Sequence, residues 1–452
     1  MTRPPFQPLK STSSALCHDR SAGVLLDGVH GIDSTQSRAS GGVRDRDGSN
    51  TMQHQNIVFH GVLKHVPWAR LEALTAEHGG DADERGFTTK AHFIAMLYGQ
   101  LSGATGLREI EAGLQSHAGK LYHLGGREAP YSTLRDANRC RPPEVFAGLF
   151  AALVAQLQSG YRRKIGDAVR LIDATSLRLN GLSQRWASFS EGVCGAKLHV
   201  VYDPDAVSPL YASVTPQNVN DITAAKAIPI EPGASYVFDL GYYDFGWWAK
   251  LDDAKCRIVS RFKANTRFNA VEERPVPPGS NVLSDRTGHL PKRMAASRCN
   301  PMFKLVREVR VRSDTGKILR LFTNDLEASA DEIADLYKRR WQIELFFRWI
   351  KQTLKIRHFF GTSENAVRIQ IAVALIAFVL LRLAHDANTI VKSPLRFAQL
   401  IRLNLMHRRP IRAMLDPPDR AKPDERQAGF GFLEPFRPRP RRPAQRAITY
   451  AI

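Results

Sequence analysis

Two short runs of β-forming residues, Ala168-Val169-Arg170-Leu171-Ile172 and Ser235-Tyr236-Val237-Phe238, each stop on an aspartate, Asp173 and Asp239. Runs of this length and composition predict buried strands. An acid at the end of such a strand stands at the rim of a sheet, where a ligand can reach it. Two more strand-like runs, 197–202 and 209–214, are joined by the turn residues Asp203-Pro204-Asp205. A short helix over 222–227, a helix over 244–254 and a strand over 257–262 complete the pattern. Three strands, a helix, a strand, a helix and a strand describe a mixed α/β sheet.

Further along, Tyr337, Arg340, Glu344 and Lys351 stand at offsets of 0, 3, 7 and 14. On one helix this spacing makes a single stripe. A merely solvated helix has little reason to align a carboxylate with two cations and a phenol beside apolar Ile343, Phe346, Phe347 and Ile350. A helix that holds a metal ion through Glu344 and grips phosphates through its neighbours does. Three carboxylates, Asp173, Asp239 and Glu344, supply hard oxygen ligands suited to two divalent cations, Mg2+ or Mn2+. Such a pair, about 4 Å apart, serves in-line phosphoryl transfer without a protein nucleophile. Asp203, Asp205, Asp221 and Asp244 compete as acids, but their turn or helix-start contexts fit structural roles. Lys197 and His199 lie on a strand that could face the site, although core or surface placement suits them better. Trp341 reads as an anchor for its helix, and Trp247-Trp248 as core.

The spacing Y-x2-R-x3-E-x6-K, complete at all four positions, resembles the signature of a large group of bacterial insertion-sequence transposases of the DDE type. The order of strand-Asp, strand-Asp, inserted β segment and helix-Glu is similar to their ribonuclease H-like core, over residues 55–415. The resemblance implies that Asp173, Asp239 and Glu344 bind the catalytic metals, two ions per site. It implies that Tyr337, Arg340 and Lys351 contact DNA phosphates near the transposon end. The implied partners are double-stranded DNA, as terminal inverted repeats and target, and a second copy in a homodimeric DNA complex. Two rival readings are a ribonuclease H-like nuclease without strand transfer and an inactive DNA-binding derivative. Some relatives stack a tryptophan of the β insertion on a flipped base. Here no tryptophan lies within 264–327, and Phe268 and Phe303 are the available aromatics.

Composition agrees with a nucleic-acid partner. The 452 residues carry a formal charge of +20, which favours a polyanion. Five scattered cysteines, with no CxxC pair, argue for a reducing, cytoplasmic setting and against structural zinc. The longest apolar run, 369–381, reads as a core helix too short to span a bilayer, so no membrane partner is expected. The expected organisation is a disordered extension (1–51), a helical DNA-binding domain (52–160), the first part of the core (161–263), a β-rich insertion (264–327), the second part of the core with C-terminal helices (328–415) and a basic Pro/Arg-rich tail (416–452). Within the second of these, Ser132 to Arg139 suggests the basic helix of a helix-turn-helix, entered through a tight turn and a Ser cap. An ordinary surface helix is the competing reading.

Overall fold

A computed structural model of the chain describes residues 57–82, 86–159, 165–190, 193–276, 278–295, 298–356 and 358–416. The expected extension 1–51, and the expected tail beyond Asp416, lie outside these. The described residues make one compact unit.

The chain opens with helices α1 (Val58–Leu63), α2 (Trp68–Glu77), α3 (Thr89–Ser102), α4 (Leu107–Ser116), α5 (Ala118–Leu121), α6 (Tyr131–Cys140) and α7 (Pro143–Ser159). Thr88 caps α3 by accepting from the Ala91 amide, and Gly103 ends it at φ +77°. Every residue from Ala91 to Leu101 is buried, so α3 is enclosed all round rather than amphipathic. The helix-turn-helix reading fails here. Alpha-5 and a 3-10 turn fill the space between α4 and α6, so no tight turn joins them. Helix α6 starts at Tyr131 after Pro130, with no Ser cap, and Asn138 turns inward to His92, Nε2 to Oδ1 2.9 Å.

The sheet begins with β1 (Val169–Leu179), which continues past Asp173 instead of ending there. After α8 (Gln184–Ala187) come β2 (Ser188–Ser190), β3 (Val193–Asp203) and β4 (Ser208–Pro216). Then follow α9 (Asp221–Ala225), β5 (Ser235–Phe238), α10 (Phe245–Asp253) and β6 (Arg257–Arg261). The core order is β4-β3-β1-β5-β6. Strand β3 is antiparallel to both β1 and β4, whereas β1, β5 and β6 run parallel. This is the ribonuclease H-like mixed sheet. Its faces follow the two-residue period. Leu171, Val200 and Val237 join the core on one face, while Ile172, Val201, Phe238, Trp247 and Trp248 build the other.

Strands β7 (Asn269–Arg274), β8 (Val282–His289), β9 (Arg293–Ala295), β10 (Arg298–Cys299), β11 (Leu305–Arg312) and β12 (Ile318–Thr323) come next. Strand β12 pairs with β6, so β12, β11, β8 and β7 widen the same sheet, while β9 and β10 pair apart. The β11–β12 hairpin turns through Gly316 at φ +79°. Strand β11 buries two adjacent charges, Arg307 and Glu308. Arg307 forks onto Asp285 at 2.7 and 2.6 Å with both side chains buried, and buried Glu308 pairs with Arg286 and Arg320.

Helices α11 (Ala330–Arg339), α12 (Trp341–Thr353), α13 (Glu364–Asp386), α14 (Pro394–Leu403) and α15 (Ile411–Leu415) finish the described chain. At 23 residues, α13 is longer than the apolar run suggests, and its length and hydropathy suffice to cross a membrane. Yet 78% of its most apolar window is buried, against α1, α3, α6, α7 and α14. It is the central rod around which the helices pack.

Candidate active site

Parallel pairing sets the first two acids side by side. The β1–β5 register ends at Ile172 opposite Phe238, so Asp173 and Asp239 are the next residues on neighbouring strands. By the two-residue period both belong to the face of Leu171 and Val237, the one that α12 covers. Asp173 occupies the interior of a long strand, but it lies where parallel pairing with β5 stops. The side chain there is largely covered, 17% exposed.

The single stripe expected over 337–351 is broken. Arg340 ends α11 and begins α12, with i→i−3 bonds on both sides: its amide to Tyr337 O, 3.1 Å, and the Ile343 amide to its own carbonyl, 3.2 Å. Tyr337 therefore rides on one helix, and Glu344 and Lys351 on the next. The four residues nevertheless stay together. The Arg340 guanidinium lies 5.8 Å from the Tyr337 ring centre, donates to Glu344 Oε1 at 2.6 Å, and reaches Asp173 Oδ2 at 3.4 Å. Lys351 Nζ donates to Thr175 Oγ1 at 2.6 Å, two residues beyond Asp173 on the same face of β1. Buried Ile343, Phe346, Phe347 and Ile350 hold α12 in this register. Trp341 is not the expected anchor; half of it is exposed.

Burial pushes the Asp173 carboxyl up to about 7, and the charges of Asp239 and Glu344 push the same way, against the Ala174 amide and Arg340. Tyr337 is 8% exposed, and burial raises its phenol, opposed by the neighbouring Arg340 and Arg261. The other acids keep mainly local duties: Asp203 pairs with Arg170, Asp205 with Arg339, and Asp244 caps α10. Asp221 is different. It approaches the site from α9, although the sequence, which offers it as a competing acid, reads it as an ordinary helix start. Phe268 packs on Phe262, whereas Phe303 is exposed.

These features sit within a family match. Residues 164–380 match the family described as transposase DDE domain, and 54–127 match a domain of unknown function, DUF4372. A protein of Sinorhizobium fredii named as transposase y4zB is 42% identical over 63% of this chain and 80% of its own length. The chain belongs to the DDE transposases of bacterial insertion sequences. A Geobacillus stearothermophilus protein, named as the transposase of insertion sequence element IS5377, is 30% identical over 57% of this chain and 67% of its own. A solved piggyBac transposase synaptic complex with hairpin DNA gives a TM-score of 0.41 at 10% identity, covering 83% of each chain. By the family match and the two transposase relatives, the chain is an enzyme of DNA cleavage and transposition.

DDE transposases use divalent metal ions, and the residues here fit such ions in kind. Three carboxylates offer hard oxygens, and the charges of Asp239 and Glu344 add to the burial that chiefly raises the Asp173 carboxyl. They do not form a finished cage. Among the described residues no three Asp, Glu, His or Cys side chains are grouped to hold an ion as they stand. Arg340 bridges Asp173 and Glu344 instead, neutralising them from within.

Proposed function

We propose that this transposase binds the terminal inverted repeats of an insertion sequence, cuts at the transposon ends and joins the freed 3′-hydroxyls to target DNA. The observation that supports the reading most is the bridge from Arg340 to Asp173 and Glu344, which ties the helix acid to one strand acid. Asp173, Asp239 and Glu344 would hold two Mg2+ or Mn2+ ions. Bound ions supply the Lewis acidity that activates an attacking oxygen and stabilises a leaving one.

The chain's own part is positioning. Arg340 covers the acids without DNA and turns to a phosphate when DNA arrives, which uncovers them at the moment of use. Lys351 holds a second phosphate from the next turns of α12, and Tyr337 backs Arg340. Basic surfaces of a chain with charge +20 hold the flanking duplex, with affinity falling steeply as salt rises. Two copies act together, one on each transposon end.

The test is direct. Asp173→Ala, Asp239→Ala and Glu344→Ala should each abolish Mg2+-dependent cleavage of an end-bearing duplex while sparing its binding. Unchanged cutting removes that residue from the site. Incubation with pre-cleaved ends should yield products joined to a target plasmid; cutting without joining would leave a nuclease.

A further inference from the structure

Asp221 sits at the first position of the short helix α9, a setting that asks only for a cap or an ion pair. Its surroundings go further. Oδ1 is 2.9 Å from Lys197 Nζ and 4.0 Å from His199 Nδ1, both side chains rising from the same face of β3. Oδ2 points the other way, toward the loop after Asp239. A Cβ built on Gly241 would stand 3.1 Å from Asp221 Oδ2 and 3.0 Å from Asp239 Oδ1. The Gly241 amide itself donates to Asp239 Oδ1 at 2.8 Å. Glycine leaves room here that a side chain would crowd: the two carboxylates border one small gap.

Among the described residues, two buried polar atoms of neighbouring side chains, on Tyr242 and His199, make no hydrogen bond. The Tyr242 hydroxyl is enclosed and unpaired. Burial raises its phenol, and the charges of Asp173, Asp221 and Asp239 add to that rise. His199 Nδ1 is likewise buried and unpaired, while Nε2 meets Thr215 Oγ1 at 2.8 Å. Buried polar groups are nearly always satisfied, so unpaired ones at a charged gap point to a missing water or ion.

We propose that Asp221 is a fourth acidic residue of the active site, a positioning residue that acts through Asp239 and the gap over Gly241 to strengthen uptake of divalent cations. The inference rests on the reading that Asp173, Asp239 and Glu344 take up those cations. Lys197 neutralises and anchors one oxygen of Asp221, leaving the other to orient Asp239 and the waters of a hydrated ion. Outer carboxylates of this kind commonly change metal affinity by at least tenfold.

The experiment measures Mn2+ uptake by the full chain without DNA, from the loss of the free-ion paramagnetic resonance signal. Asp221→Asn keeps an oxygen for Lys197 and replaces Oδ2 by an amide; Gly241→Ala fills the gap and changes no charge. Each should raise the half-saturating Mn2+ concentration by about tenfold, with the metal-free thermal midpoint of Asp221→Asn unchanged. If Asp221→Asn misfolds, Gly241→Ala carries the test. Asp239→Asn serves as reference. Wild-type uptake in Asp221→Asn and Gly241→Ala, alongside weakened uptake in Asp239→Asn, overturns the role of Asp221 alone. Wild-type uptake in all three overturns the cation site itself, and this inference with it.

Discussion

Arg340 and Glu344 form an ion pair of 2.6 Å across the start of one helix, and the same guanidinium reaches back to Asp173 on the first core strand. The pair is partly buried, with side chains 17% and 31% exposed, so water screens it only in part. The positive charge among the acids thus belongs to the chain, on a side chain long enough to leave.

Arg340→Ala should therefore act in opposite directions on two measurements. Without the guanidinium, the acids compete less with an internal cation. Mn2+ uptake by the DNA-free protein should tighten by about tenfold, the scale of one charge-assisted hydrogen bond. Binding of end-bearing duplex should weaken, with a salt dependence shallower by about one phosphate contact. Titration of Mn2+, and filter binding over a salt series, check the two halves. Unaltered Mn2+ uptake would mean that Arg340 does not occupy the acids in solution.

The Arg307–Asp285 pair lies inside the widened part of the sheet, 2% and 4% exposed. Removing one partner strands a buried charge. Arg307→Ala should cost about 3–5 kcal/mol of stability, read as a drop in the urea midpoint. Arg307→Met combined with Asp285→Leu should recover most of that loss, because the pair as a whole repays little beyond its own desolvation. A single variant as stable as wild type would show that β8 and β11 do not depend on the pair.

His92, fully buried in α3, has its imidazole pushed down to about 3, first by burial and then by the charge of Arg141, with the Asn138 hydrogen bond opposing. Its ordinary value is 6.5, so between these limits the unfolded chain binds a proton that the folded chain refuses. Stability is unaffected by this group above about pH 6.5 and is lost as pH falls toward 3. At pH 5 the loss is about 2 kcal/mol. Urea midpoints at pH 7.5 and 5.0 should diverge less for His92→Gln than for wild type; equal divergence would assign the acid sensitivity elsewhere.

The candidate site was legible where its signal is local. Asp173 and Asp239 follow apolar runs, and in a parallel pair the residues just beyond the last paired positions become neighbours. Glu344 could be picked out because Ile343, Phe346, Phe347 and Ile350 fix the buried face of α12. The break at Arg340 was not legible, since no proline or glycine marks it and its backbone stays helical at φ −50°, ψ −32°. Nor was Asp221, whose local pattern matches that of Asp244, a true helix cap. The helix-turn-helix reading failed because the surface assigned to DNA includes Asn138, which packing turned inward.

Periodicity and residue type alone marked out most of the strands and helices and the candidate acids Asp173, Asp239 and Glu344, because those depend on neighbours a few positions apart. Only the folded chain decided that Arg340 would lie among those acids, that β12 would join β6, and that Asp221 would meet Asp239 over Gly241. Each of these is a contact between side chains or strands remote in sequence, and packing of the whole core selects such contacts.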